Sequence, residues 1–105
     1  KAQTLGEEHF IKQLKERAGD VKLLLLSGKF TNDKAAQTDM LLIGALHERT
    51  IAKMVDEYEK ECGFPIRYTI MAEQEFQDRR HIMDKFLYSV FEANHVKVVN
   101  LLGVQ

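Results

Sequence analysis

The sequence predicts a single mixed α/β domain, a β-sheet flanked by helices with elements in the order α-β-β-α-β-α-β. Three observations carry that prediction. Two apolar runs of strand length, Leu23-Leu24-Leu25-Leu26 and Met40-Leu41-Leu42-Ile43, read as strands buried on both faces. A stretch at helical spacing, Ile51, Met54, Val55, Tyr58 and Cys62, separates the second run from a third β-prone segment at residues 66–71. The length of 105 residues suits one hydrophobic core and is too short for two ordinary domains.

The first element is a helix over residues 5–18, because Phe10, Ile11, Leu14 and Ala18 share one face between charged neighbours. Gly19 ends it as a left-handed cap would. Residues 21–26 then form the first strand, bounded by Ser27-Gly28. Residues 29–38 are polar apart from Phe30 and the Ala35-Ala36 pair, contain Thr31-Asn32-Asp33, and read as a loop or short turn. The second strand, residues 40–43, is expected to end at Gly44.

The amphipathic helix through Ile51 and Cys62 stops at Gly63 and Pro65. Residues 66–71 follow as a third strand, alternating at its start and therefore nearer the sheet edge. Residues 73–78 give a short turn or helix. Ile82, Met83, Phe86, Leu87, Val90 and Phe91 then make a wide apolar helical face ending near Asn94, and residues 96–102 close the chain as a fourth strand. Strands one and two, joined by a loop alone, are expected to be antiparallel neighbours. A helix between strands two and three implies a parallel crossover.

Composition narrows the function classes. Hydrophobic residues at 45% and charged residues at 30% describe a folding domain rather than a disordered chain. Fifteen Lys and Arg against sixteen Asp and Glu give a formal charge of -1, which argues against direct nucleic-acid binding by this segment. The lone Cys62 cannot form an internal disulfide, so a reducing, cytoplasmic setting is expected. No apolar run approaches the ~18–20 residues that span a bilayer, and no signal peptide opens the chain. The chain starts at Lys1, not methionine, and is expected to be a fragment of a longer polypeptide.

Few residues carry an evident chemistry. Ser27-Gly28 is in the first instance a strand-ending turn, and Asp39 a strand-terminating carboxylate or a residual ligand-binding one, since ligands in open α/β folds sit beyond strand ends. His9, His47, His81 and His95 are scattered without zinc-binding spacing, and Cys62 lies on an apolar helix face. The sequence holds no glycine-rich dinucleotide loop, Walker loop or nucleophile elbow. Arg79-Arg80-His81, flanked by Asp78 and Asp84, reads as a solvated helix face. The stripe from Ile82 to Phe91 exceeds what one sheet face needs, which suggests a homodimer.

The strand ending in Ser27-Gly28, the polar loop and Thr38-Asp39-Met40-Leu41-Leu42-Ile43-Gly44 resemble the core of the nucleotidyltransferase superfamily that includes polymerase beta and the minimal nucleotidyltransferases. Ile66-Arg67-Tyr68-Thr69-Ile70-Met71 with Glu73, Glu75 and Phe76 resembles, more narrowly, the nucleotidyltransferase-like domains attached to winged-helix domains in small prokaryotic transcriptional regulators. Together these stretches cover most of residues 20–102.

In the active superfamily the resemblance implies a Gly-Ser pair that holds phosphate and two carboxylates spaced i, i+2 on the second strand. With a third from the next strand, they would hold two Mg²⁺ ions on the nucleotide phosphates. Here Ser27-Gly28 reverses the pair, Leu41 stands two residues after Asp39, and Arg67 and Thr69 occupy the third-strand positions. One aspartate cannot clamp two divalent ions. The expectation is a catalytically degenerate domain to which no metal or cofactor is assigned, serving ligand sensing or subunit association, with DNA contacted only through a domain upstream of Lys1. The alternative is an active Mg²⁺-dependent nucleotidyltransferase in which Ser27, Gly28 and Asp39 bind nucleotide with help from a displaced carboxylate, Asp33, Glu73 or Asp78.

Overall fold

The computed structural model describes residues 5–104. Its elements are α1 (Leu5–Arg17), β1 (Gly19–Ser27), a 3₁₀ turn (Gly28–Phe30), β2 (Met40–Leu46), α2 (Glu48–Cys62), β3 (Tyr68–Met71), α3 (Glu73–His81), α4 (Lys85–Glu92) and β4 (His95–Asn100). The four strands form one mixed sheet in the order β3-β2-β1-β4. β1 is antiparallel to both β2 and β4, and β2 is parallel to β3, as the connections require.

The leucine run shows why this sheet has helices on both faces. Side chains alternate across a strand, so Leu24 and Leu26 point to one face and Leu23 and Leu25 to the other. In β2, Met40 and Leu42 join the first set while Leu41 and Ile43 join the second. On the first face α1 supplies Phe10, Ile11 and Leu14 and α2 supplies Ile51, Met54, Val55 and Tyr58. Phe10 and Tyr58 stack there with ring centroids 4.3 Å apart. On the second face α3 contributes Phe76, and α4 contributes Leu87 and Val90. Each central leucine removed from water contributes roughly 1.5–3 kcal/mol, so the two central strands supply most of the sheet's stabilisation.

The structure departs from the sequence reading in two places. Gly44 does not end β2, which runs on to Leu46. It is required for a different reason: its φ is +145° and a Cβ there would stand 2.0 Å from the Asp20 carbonyl oxygen, beside the register shift between Val21 and Leu23. A bulge of this kind bends the strand and brings two backbones together, which only glycine permits.

Second, the apolar stripe from Ile82 to Phe91 is broken. α3 extends to His81, and Ile82 and Met83 form the corner before α4, 74% and 85% exposed. Met83 takes a left-handed φ of +57°, and Asp84 then caps α4 by accepting from the Phe86 N–H at 2.8 Å. Arg79 fastens this corner from both sides, its guanidinium 3.1 Å from Glu75 and 3.1 Å from Asp84. Helix period alone does not register such a break, because the apolar residues before it continue the spacing of those after it.

Candidate functional site

Ser27, Gly28 and Asp39 meet at one end of the central strands. The Ser27 N–H donates to the Asp39 carbonyl at 2.8 Å, continuing the β1–β2 ladder by one step. The Ser27 hydroxyl turns away and donates to the Asn94 carbonyl at 2.6 Å, tying the end of β1 to the start of β4. Gly28 has φ of +55°, and a Cβ there would lie 2.1 Å from Asp39 Oδ1. Glycine is therefore needed both for the turn and for the space that the carboxylate fills.

Asp39 is 0% exposed, and both of its side-chain oxygens are taken. Oδ1 accepts from the Lys29 backbone N–H at 2.9 Å and from Arg67 Nη2 at 3.1 Å. Oδ2 accepts from the Arg67 backbone N–H at 2.8 Å and from Arg67 Nε at 3.3 Å. Backbone pairs reinforce the joint, since the N–H groups of Asp39 and Met40 both donate to the Arg67 carbonyl. Burial by itself would push the Asp39 carboxyl up. The hydrogen bonds from the Arg67 side chain, from the Arg67 and Lys29 backbones, and the guanidinium charge outweigh it and hold the group below the usual carboxylate range. The same contact holds the Arg67 guanidinium more firmly protonated.

The donor set does not suit a divalent cation. A metal at Asp39 would have to displace N–H donors that have no other buried acceptor, and it would sit against a guanidinium 3.1 Å from the same oxygen. Among the described residues no group of three His, Cys, Asp or Glu side chains converges on a metal-sized space. Asp33 is the one displaced carboxylate near this end of the sheet, but its oxygens accept from the Ala35 N–H at 3.0 Å and the Asn94 N–H at 3.1 Å. Glu73 and Asp78 are exposed on α3.

Beside Asp39 opens a cavity of about 530 Å³, lined by the loop residues Gly28, Lys29, Asp33 and Lys34 and by Phe64 and Arg67 from the chain that enters β3. The Lys29 ammonium donates to the Pro65 carbonyl and stands 5.1 Å from the centre of the Phe64 ring. Arg67 turns one edge to Asp39 while its side chain stays 50% exposed. Cys62 contributes nothing here; its thiol faces the carbonyls of Glu59 and Phe64 at 3.8 and 3.6 Å.

Ser27, Gly28 and Asp39, read together from the sequence, are neighbours at one sheet end, whereas Arg67 enters the sequence reading only as a missing carboxylate and Lys29, Lys34 and Phe64 do not enter it. A signal for Arg67 existed. Parallel pairing of the second and third strands aligns Met40 with Tyr68, so the residues just before them, Asp39 and Arg67, become neighbours with opposite charges. No family model matches the chain, and no curated protein or solved structure matches it significantly.

Proposed function

We propose that this chain is a catalytically degenerate nucleotidyltransferase-like domain that serves ligand sensing or subunit association within a cytoplasmic transcriptional regulator, whose DNA-binding part precedes Lys1. The observation that supports this reading is the state of Asp39. The carboxylate that the resemblance would assign to a metal is spent on four N–H groups, two of them from the guanidinium of Arg67. Phosphoryl transfer through two cations needs carboxylates that are free to bind them, and an arginine in their midst supplies positive charge without any open coordination site.

Calorimetric titration with nucleoside triphosphates, with and without Mg²⁺, tests the degenerate reading. The expected result is no metal-dependent saturable binding and no nucleotide incorporation. Metal-dependent binding abolished by Asp39→Ala, together with nucleotidyl transfer, would establish the active enzyme instead.

Subunit association draws support from the corner between α3 and α4. Met83 and Tyr88, the latter 68% exposed, border a groove whose floor includes Leu87 and Phe91. A homodimer through this face predicts that sedimentation velocity finds a concentration-dependent dimer, and that Met83→Lys with Tyr88→Lys returns it to monomer. A strict monomer at every concentration would leave ligand sensing as the remaining role.

A further inference from the structure

The cavity beside Asp39 has the size of a small-molecule site, which typically spans roughly 300–1,000 Å³. Its charge is uneven. Lys29, Lys34 and Arg67 line it with the carboxylate of Asp33, and behind them the buried carboxylate of Asp39 meets the Arg67 charge at 3.1 Å, in a chain whose formal charge is -1. Like charges gather in this way at a cost unless an anion is there to meet them.

The cations differ in how they are held. Arg67 is fixed by Asp39 through Nε and Nη2 and by the Gln37 carbonyl, which accepts from Nη1 at 3.3 Å, while its side chain stays half-exposed in the cavity lining. Lys29 is anchored twice: its backbone N–H donates to Asp39, and its ammonium is positioned between the Pro65 carbonyl and the Phe64 ring. Lys34 is exposed, and among the described residues no carboxylate lies within ion-pair distance of it. Asp33, the carboxylate in the lining, accepts from the Ala35 N–H of its own loop and from the Asn94 N–H just before β4. A planar guanidinium fork and two ammonium groups around one space suit a tetrahedral dianion, which accepts hydrogen bonds from several directions at once.

We infer that this cavity binds a small phosphorylated ligand without a metal ion, Lys29, Lys34 and Arg67 supplying the positive charge and Phe64 an apolar wall. The inference rests on the ligand-sensing half of the function proposed above. Fixed cations replace the metal: Arg67 stays charged at every relevant pH and brings its own hydrogen-bond donors.

The experiment is calorimetry on the chain in EDTA with two probes, inorganic pyrophosphate and adenosine monophosphate, with backbone amide shifts followed in parallel by NMR. Saturable binding of either probe is expected, weakened by added salt, unchanged by Mg²⁺, and accompanied by shifts at Gly28, Lys34 and Phe64. Equal affinities would assign recognition to the phosphate alone, and tighter binding of the nucleotide would add the base to the ligand. The double variant Lys29→Gln/Lys34→Gln, which keeps the backbone contact to Asp39, should weaken binding at least about tenfold. The amide shifts of the unsubstituted chain locate the site even if that variant folds poorly.

Three results would each overturn the inference: no saturable binding of either probe up to millimolar concentration, binding that appears only with Mg²⁺, or shifts confined to another surface. Failure here is separable from failure of the proposed function. Metal-dependent nucleotidyl transfer would remove the degenerate reading, whereas the absence of metal-free binding removes only the anion site and leaves subunit association standing.

Discussion

A buried carboxylate that answers four N–H groups makes the end of this sheet depend on one residue. Asp39→Ala would strand the backbone N–H groups of Lys29 and Arg67 and release the guanidinium, and should cost about 3 kcal/mol of stability in urea unfolding. The pH dependence follows from the direction of the shift. A carboxyl held below its usual range contributes stability that is fully present above the unfolded value, near pH ~4, and is lost as pH falls through the lower folded value. Asp39→Asn should therefore be less stable than the unsubstituted chain at neutral pH, and the gap should narrow progressively below about pH 4. A gap that stays constant to the acid limit would mean that the charge of Asp39 contributes nothing.

Among the elements, the α3–α4 corner is where local geometry and surface chemistry conflict. Met83 is exposed and left-handed, a conformation that costs a non-glycine residue roughly 1–2 kcal/mol. Met83→Gly should raise the midpoint of thermal unfolding, by an amount equivalent to up to about 1 kcal/mol after the extra chain entropy of glycine is counted. A lower midpoint would show that Met83 makes apolar contacts that outweigh its strain. Gly63 is the opposite case: it closes α2 in a left-handed φ of +82° with its N–H on the Glu59 carbonyl, where glycine is the residue that fits.

For the molecule as a whole, the sheet order sets a gradient of stability. β1 and β2 are paired on both sides and covered on both faces, whereas β3 and β4 each have one edge unpaired among the described residues. Native-state hydrogen exchange should find the slowest amides in residues 23–26 and 40–43, with β4 exchanging faster although it pairs with β1 along its inner edge. Equal protection across all four strands would mean that the sheet opens only by global unfolding, or that another chain covers the outer edge of β4.

Much of this architecture was legible in the residues themselves. Leu23-Leu24-Leu25-Leu26 and Met40-Leu41-Leu42-Ile43 report burial on both faces because hydrophobic runs respond to water exposure, which every side chain meets locally. The face of α2 and its glycine stop are likewise encoded within one stretch of chain, and the loop and helix between strands fix which neighbours run antiparallel and which parallel. The contact of Asp39 with Arg67 spans 28 positions, and only sheet register brings the two together. The cavity depends on the same register, since its walls come from the loop after β1 and the segment entering β3. Gly44, which resembles a strand end in sequence, is a close approach between two backbones. Periodicity records whether a side chain meets water; it carries no information about which distant group a buried charge will meet, and that is decided only when the strands are aligned.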